Sequence, residues 1–328
     1  MAHSSPDPSG ILGVATGYMA AKQLFAASEA GVFAALAGGP ATAAELAGRA
    51  GMPERTARIL GDALAGLGLL ARESGRYANS PAAAAYLSGE GDGVDLRPFL
   101  AFLDAISYPH WLGFGATAAS AEPRPLDLAG DRMQTFMNGV MTYNALHARM
   151  LAENFDFTRY SRILDYGGLS AAFLVEALRS ARQAHGTFLA PGQFTEFARK
   201  ALLDAGLGGR SEVVEADPLT GDVPEGFDLV LLEHVVHRFD AERNQEMIRR
   251  ARRAAAPGGM LVLLDFFLDD DPDQRVIDAL HAGEYLVIDG TVVYPEAEVR
   301  GWLTAAGWEP VETRALPASP RVIIAEAR

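Results

Sequence analysis

The chain has 328 residues, 49% of them hydrophobic, which is enough for two domains with buried cores. A formal net charge of −14 and a pI near 4.9 oppose a nucleic-acid groove or an anionic membrane surface as partner. No cysteine is present, which removes disulfides, thiolate metal sites and cysteine nucleophiles. Met1 to Ser9 is polar and proline-bearing, without the basic and apolar blocks of a signal peptide. No run of about 18 apolar residues suggests a membrane span, so a soluble, cytoplasmic protein is expected.

Residues 11–37 carry apolar side chains at helical spacing (Ile11, Val14, Tyr18, Leu24, Phe25, Val32, Phe33, Leu36), interrupted by Gly31 and ended by Gly38-Gly39-Pro40. Thr42-Ala43-Ala44-Glu45 has the form of a capping box that opens a short helix. Pro53 starts another, with Ile59, Leu60, Leu64 and Leu67, and Arg72 to Tyr77 around Gly75 predicts a small hairpin. Over residues 1–95 this is helix, turn, helix, wing. The second of the paired helices offers only Arg55 and Arg58 as basic groups, so a dimerisation module is expected rather than a DNA reader. The N-terminal helices are apolar on more than one face, which points to a homodimer.

Residues 96–157 form an expected helical linker. An aromatic-rich helix pair spans 95–120, a loop spans Ala121 to Gly130, and a long amphipathic helix runs from Met133 to Phe157. Phe102, Tyr108, Trp111, Met137 and Met141 are candidates to line a small-molecule pocket between the helical and α/β domains, and core packing is the competing account of each.

From residue 158 to 328 strands and helices alternate. Strands are expected at 162–166, 185–189, 211–215, 227–232 and 260–266, with helices at 171–182, 193–205, 241–256, 273–287 and 295–306, and closing strands at 308–315 and 321–326. That order implies an α/β fold with a doubly wound, mostly parallel sheet, whose ligands sit beyond the carboxyl ends of the strands. The first strand ends in Asp165-Tyr166-Gly167-Gly168, where glycine allows a sharp turn and close approach of a ligand. The third ends in Glu215-Ala216-Asp217-Pro218, the fourth in Glu233-His234-Val235-Val236-His237-Arg238-Phe239-Asp240, and the fifth in Asp265. Two histidines and several acids therefore converge on one edge. His234 and His237, with Asp240 or Asp265, also allow a divalent-metal reading, but no third ligand is fixed by spacing and no metal is expected.

In this order, with Pro257-Gly258-Gly259 before a strand, residues 10–328 resemble the S-adenosylmethionine-dependent small-molecule O-methyltransferases, the group that includes caffeate, acetylserotonin and polyketide-tailoring enzymes. The resemblance implies a methyltransferase fold and S-adenosylmethionine (SAM) as cofactor, held by Asp165, Gly167, Gly168, Asp217, Pro218 and Glu233, with Asp217 at the adenine. It implies His237 as general base, Asp265 as the group that orients it, and His234 beside the substrate. The expected function is methylation of an aromatic or polyketide-like molecule in bacterial secondary metabolism.

Some positions depart from the family pattern. Leu169 and Ala171 occupy later places of the glycine turn, Ala190 falls where a ribose-binding acid is expected, Val292 replaces a second acid, and Arg238 and Phe239 follow the base. These losses predict weakened or absent SAM binding. They leave open a SAM-independent reaction in the same pocket (elimination, decarboxylation, hydroxylation or cyclisation) and a non-catalytic scaffold.

Overall fold

The structure, a computed structural model, describes residues 6–269 and 274–328. The first five residues of Met1–Ser9, and residue 273 at the expected start of helix 273–287, lie outside the described residues. Two compact units are present: one reaches Pro109 and adds Leu128–Tyr143, and the other comprises His110–Asp127 and Asn144–Arg328. Among the described residues no helix is long and apolar enough to cross a membrane.

The first unit begins with α1 (Ser9–Glu29), α2 (Val32–Ala35), β1 (Ala41–Thr42), α3 (Ala43–Ala50), α4 (Glu54–Gly66), β2 (Leu70–Glu73), β3 (Arg76–Asn79), α5 (Pro81–Tyr86) and α6 (Arg97–Phe102). The expected capping box opens α3: the Glu45 N–H donates to Thr42 Oγ1 at 3.3 Å, and the Thr42 N–H donates to Glu45 Oε2 at 2.8 Å. β2 and β3 form the expected wing in a small antiparallel sheet of order β1-β3-β2. Phe25, Phe33, Leu46, Leu60, Leu64 and Tyr77 fill its core. The Tyr77 ring lies so close to α4 that a Cβ on Gly61 would sit 2.7 Å from Cζ, so only glycine fits there.

The aromatic stretch departs from a simple helix pair. α6 continues through a π-helical turn, Leu103–Ser107, into α7 (Tyr108–Trp111), followed by α8 (Phe114–Ser120). Pro109 has no N–H to give the Ala105 carbonyl, and Arg132 Nη1 donates to that carbonyl instead at 3.1 Å. Arg132 sits on α9 (Asp131–Asn154), which contributes residues to both units.

The second unit holds β4 (Arg162–Tyr166), α10 (Ala172–Ser180), β5 (His185–Ala190), α11 (Gly192–Asp204), β6 (Ser211–Glu215), β7 (Phe227–Glu233), α12 (Ala241–Ala254), β8 (Ala255–Asp265), α13 (Val276–Ile288), α14 (Glu296–Ala305), β9 (Trp308–Ala315) and β10 (Arg321–Ala327). The sheet order is β6-β5-β4-β7-β8-β10-β9, with β4 to β8 parallel and β10 antiparallel to both neighbours. Its central strands are mostly apolar because helices cover both faces. β8 starts earlier than the sequence suggests. Residues 255 and 256, expected at the end of a helix, already belong to it, and Pro257-Gly258-Gly259 is an irregularity within the ladder, where the β7 pairing shifts from Phe227↔Ala255 to Leu229↔Met260 and Gly258 has φ +71°. At the start of β10, Arg321 is 7% exposed and binds Asp269 at 2.8 Å, Glu296 at 2.9 Å and Asp278 at 3.2 Å. Burial pushes Asp278 up to about 6 against the pull of Arg275 and Arg321.

Candidate active site

The turn after β4 is held from several sides. Gly167 has φ +80°, its N–H donates to the Leu189 carbonyl at 2.8 Å, and its own carbonyl accepts from Arg238 Nη1 at 3.0 Å. Arg238, whose identity the family pattern does not anticipate, thus clamps the glycine turn while its guanidinium lies over the Phe239 ring. Burial lowers its affinity for its proton, and Asp265 opposes this. The Tyr166 hydroxyl donates to the Pro218 carbonyl at 2.5 Å, tying the end of β4 to the segment after β6.

Two carboxyl groups meet beneath this turn. Asp165 is fully buried and Glu233 is 2% exposed. A Cβ on Gly168 would lie 2.8 Å from Asp165 Oδ1 and 3.4 Å from Glu233 Oε2. None of the four carboxyl oxygens has a hydrogen-bond partner. Burial pushes both groups well above the usual carboxylate range. The Leu174 N–H, short of hydrogen-bond geometry, eases the rise at Asp165, while the Asp165 charge adds to it at Glu233.

His237 and Asp265 come together as expected. His237 Nδ1 lies 3.0 and 3.1 Å from the two Asp265 oxygens, and the His237 N–H donates to Oδ2 at 3.3 Å. Asp265 is fully buried and also accepts from the Phe266 N–H at 2.9 Å. Burial alone would raise the Asp265 carboxyl; the His237 imidazole and its hydrogen bond hold it below the usual value instead. With Asp265 accepting from Nδ1–H, the lone pair resides on Nε2. Tyr285 stacks on the imidazole with ring centroids 4.2 Å apart and a 21° interplanar angle.

His234 lies beside this pair, its ring centroid 6.1 Å from that of His237. It adopts φ +53°, uncommon for a non-glycine residue, and its Nε2 is 2.9 Å from His147 Nδ1 on α9. Burial pushes His234 down to about 3 and His147 well below the ordinary imidazole value, so both rings are neutral near pH 7. His147 and Tyr285 were not singled out from sequence, nor was His281, which stacks on Phe266 with ring centroids 3.8 Å apart. His147 shares a helical face with Asn144 and Leu151, an inward pattern that spacing could have revealed. One ligand atom from each of His234, His237 and Asp265 falls within a 4.8 Å cluster.

The remaining candidates are scattered. Asp217 is exposed and its Oδ1 accepts from the Leu219 and Thr220 N–H groups at 2.7 and 3.1 Å, while Pro218 is buried beside Gly167. β5 ends without an acid, since Leu189 and Ala190 are both fully buried and apolar. The carboxylate at that corner comes from Glu215, the register partner of Ala190, whose Oε1 lies 2.5 Å from where Gly192 would carry a Cβ. Val292 is 52% exposed. In the first unit, Phe102 is buried, packed edge-on to Phe136 with centroids 5.6 Å apart. Tyr108 lies under the Lys22 ammonium at 5.0 Å, and Met137 and Met141 are half-buried on α9. In the second unit, Trp111 Nε1–H donates to Glu284 Oε2 at 2.6 Å.

A doubly wound, mostly parallel sheet thus carries a glycine turn after its first strand, buried acids beneath that turn and an imidazole–carboxylate pair at the ends of adjacent strands. The chain belongs to the O-methyltransferase family: the O-methyltransferase domain matches residues 104–309 and the O-methyltransferase dimerisation domain matches residues 12–89. It is 32% identical to 3-hydroxy-5-methyl-1-naphthoate 3-O-methyltransferase of Streptomyces sahachiroi, over 93% of this chain and 91% of that protein. It is 27% identical to the tetracenomycin polyketide synthesis 8-O-methyl transferase of Streptomyces glaucescens, over 94% of each chain. Among solved structures, the S-adenosylmethionine-dependent methyltransferase SibL in its apo form superposes with a TM-score of 0.84 at 27% identity, covering 98% of this chain and 99% of that one.

Proposed function

We propose that this protein is an S-adenosylmethionine-dependent O-methyltransferase of bacterial secondary metabolism that acts on a hydroxylated aromatic or polyketide-like molecule, with His237 as general base. The observation that carries the assignment of the base is the His237–Asp265 pair, with Nδ1 3.0 Å from a buried carboxylate. Asp265 fixes the tautomer that leaves Nε2 basic and balances the charge when the ring takes a proton. The residues of the turn suit the cofactor: Gly167 and Gly168 present bare backbone, and four partnerless carboxyl oxygens of Asp165 and Glu233 suit a cationic group. Asp217 and Pro218 are assigned to its adenine side, and His234 and Trp111 to the substrate side.

S-adenosylmethionine supplies an electrophilic methyl group on a sulfonium. The protein's own work is to hold an acceptor hydroxyl at Nε2 of His237, remove its proton as the oxygen becomes nucleophilic, and keep the proton on the ring against Asp265. Calorimetric titration with SAM, followed by transfer of labelled methyl to a panel of hydroxynaphthoates and polyketide phenols, tests this. Absence of heat at millimolar SAM would remove the cofactor assignment and leave the SAM-independent alternatives.

Residues 1–95 are assigned to a homodimer interface. Ile11, Val14 and Tyr18 on α1 are 76%, 85% and 53% exposed, an apolar face that a second copy would cover. Val14→Glu is expected to shift the protein from dimer to monomer in light scattering; an unchanged mass would place the interface elsewhere.

A further inference from the structure

We propose that Asp165 and Glu233 form a proton-linked cation site, which holds one shared proton in the free protein and releases it when the ammonium group of an amino-acid-type ligand enters beside the glycine turn. The inference rests on the reading of this turn as the cofactor site.

The geometry leaves few alternatives for the pair. Two carboxyl groups, 0% and 2% exposed, flank the same glycine, and none of their four oxygens meets a donor. Both cannot remain ionised side by side away from water, so one proton stays between them, as burial of both groups dictates. The charged and titratable groups around them do not relieve this. On the segment after β7, His234 is neutral and Arg238 spends a donor on the Gly167 carbonyl. On β8, Asp265 is matched to His237; on α9, His147 is neutral; the first turn of α10 carries no acid. A group with a positive charge and several N–H donors is the missing complement, because it satisfies the oxygens and cancels the repulsion that held the proton. A divalent metal is less suited, since it demands about six oxygen ligands and the site supplies four from two residues.

The test is calorimetry with SAM, S-adenosylhomocysteine and adenosine at pH 6.5, where the ligand amino group, with a pKa of about 8, stays protonated. Each titration is run in two buffers of different ionisation heat. SAM and S-adenosylhomocysteine are expected to release close to one proton per ligand, and their affinity should rise by up to ~10-fold per pH unit until the pair is ionised. Adenosine, which lacks the ammonium, should bind without releasing a proton. Glu233→Gln should diminish the release and flatten the pH dependence, and what remains measures the proton that burial alone keeps on Asp165. The same variant has a second readout without ligand. A carboxyl raised by burial costs stability as pH climbs above its unfolded value near 4, so E233Q should melt higher than wild type at pH 8 and match it near pH 4.

Buffer-independent heats in the wild type, proton release with adenosine, or undiminished release in E233Q would each overturn the proposal while leaving the cofactor reading intact. Failure of all three ligands to bind would overturn both.

Discussion

Replacement of His237 by alanine or glutamine should reduce kcat by about 10²–10⁴, which corresponds to roughly 3–5 kcal/mol of lost transition-state stabilisation, with little change in SAM affinity. The two substitutions separate chemistry from folding. Asp265 is fully buried and loses its imidazole partner in His237→Ala, which leaves it only the Phe266 and His237 backbone N–H groups. An unmatched buried carboxylate costs about 1–3 kcal/mol, so this variant should also melt lower. His237→Gln keeps a side-chain donor within reach of Asp265 yet has no basic nitrogen, so it should melt nearer to wild type and remain as slow. Single-turnover methyl transfer, together with calorimetric SAM affinity, measures both parts. If either variant stays within about 3-fold of wild type, proton removal belongs to another group.

Ala190→Asp should destabilise the protein by about 4 kcal/mol at pH 7. Ala190 ends β5, is fully buried and packs with Phe188 and Ala198 in one of the two cores that flank the sheet. An aspartate there would have its pKa raised by burial. The cost at pH 7 is bounded by the work of keeping it protonated, about 1.4 kcal/mol for each of the three units between the unfolded value near 4 and pH 7. The sign follows directly. Because the folded-state pKa lies above the unfolded one, stability falls as pH rises from about 4 and is restored in acid. Melting temperatures at pH 4.5 and pH 8 should therefore diverge for this variant relative to wild type. Equal shifts at both values would mean that the site is solvated as a pocket wall, and the acid would then be positioned to tighten SAM.

The legible parts of the chain were those in which local chemistry decides the outcome. The capping box at Thr42 and Glu45 and the apolar runs of β4, β5 and β7 carry their own signal, since a strand buried on both faces has no polar alternation to confuse with loop. The strand ends brought two histidines and several acids to one edge, and the family resemblance singled out His237 and Asp265 among them. What escaped needed register or distance. Asp165 pairs across from Leu231, so Glu233 extends two residues further along β7 and swings back over Gly168, a meeting that neither segment announces. His147 and His234 are 87 residues apart in sequence. The π-helical turn at Leu103–Ser107 contains the Ala105 carbonyl, which Pro109 cannot bond and Arg132 reaches from a separate helix. Pro257-Gly258-Gly259 has the composition of a break and is nonetheless carried within β8.

The position of β10 between β8 and β9 has a consequence for the order of assembly. Arg321–Ala327 follows β9 in sequence yet lies inside the sheet, and among the described residues it is the strand that joins β9 to β8. Until it docks, β8 exposes a bare apolar edge, and Asp269, Asp278 and Glu296 lack the guanidinium of Arg321. A chain cut before Arg321 would therefore keep that edge open and be prone to aggregate.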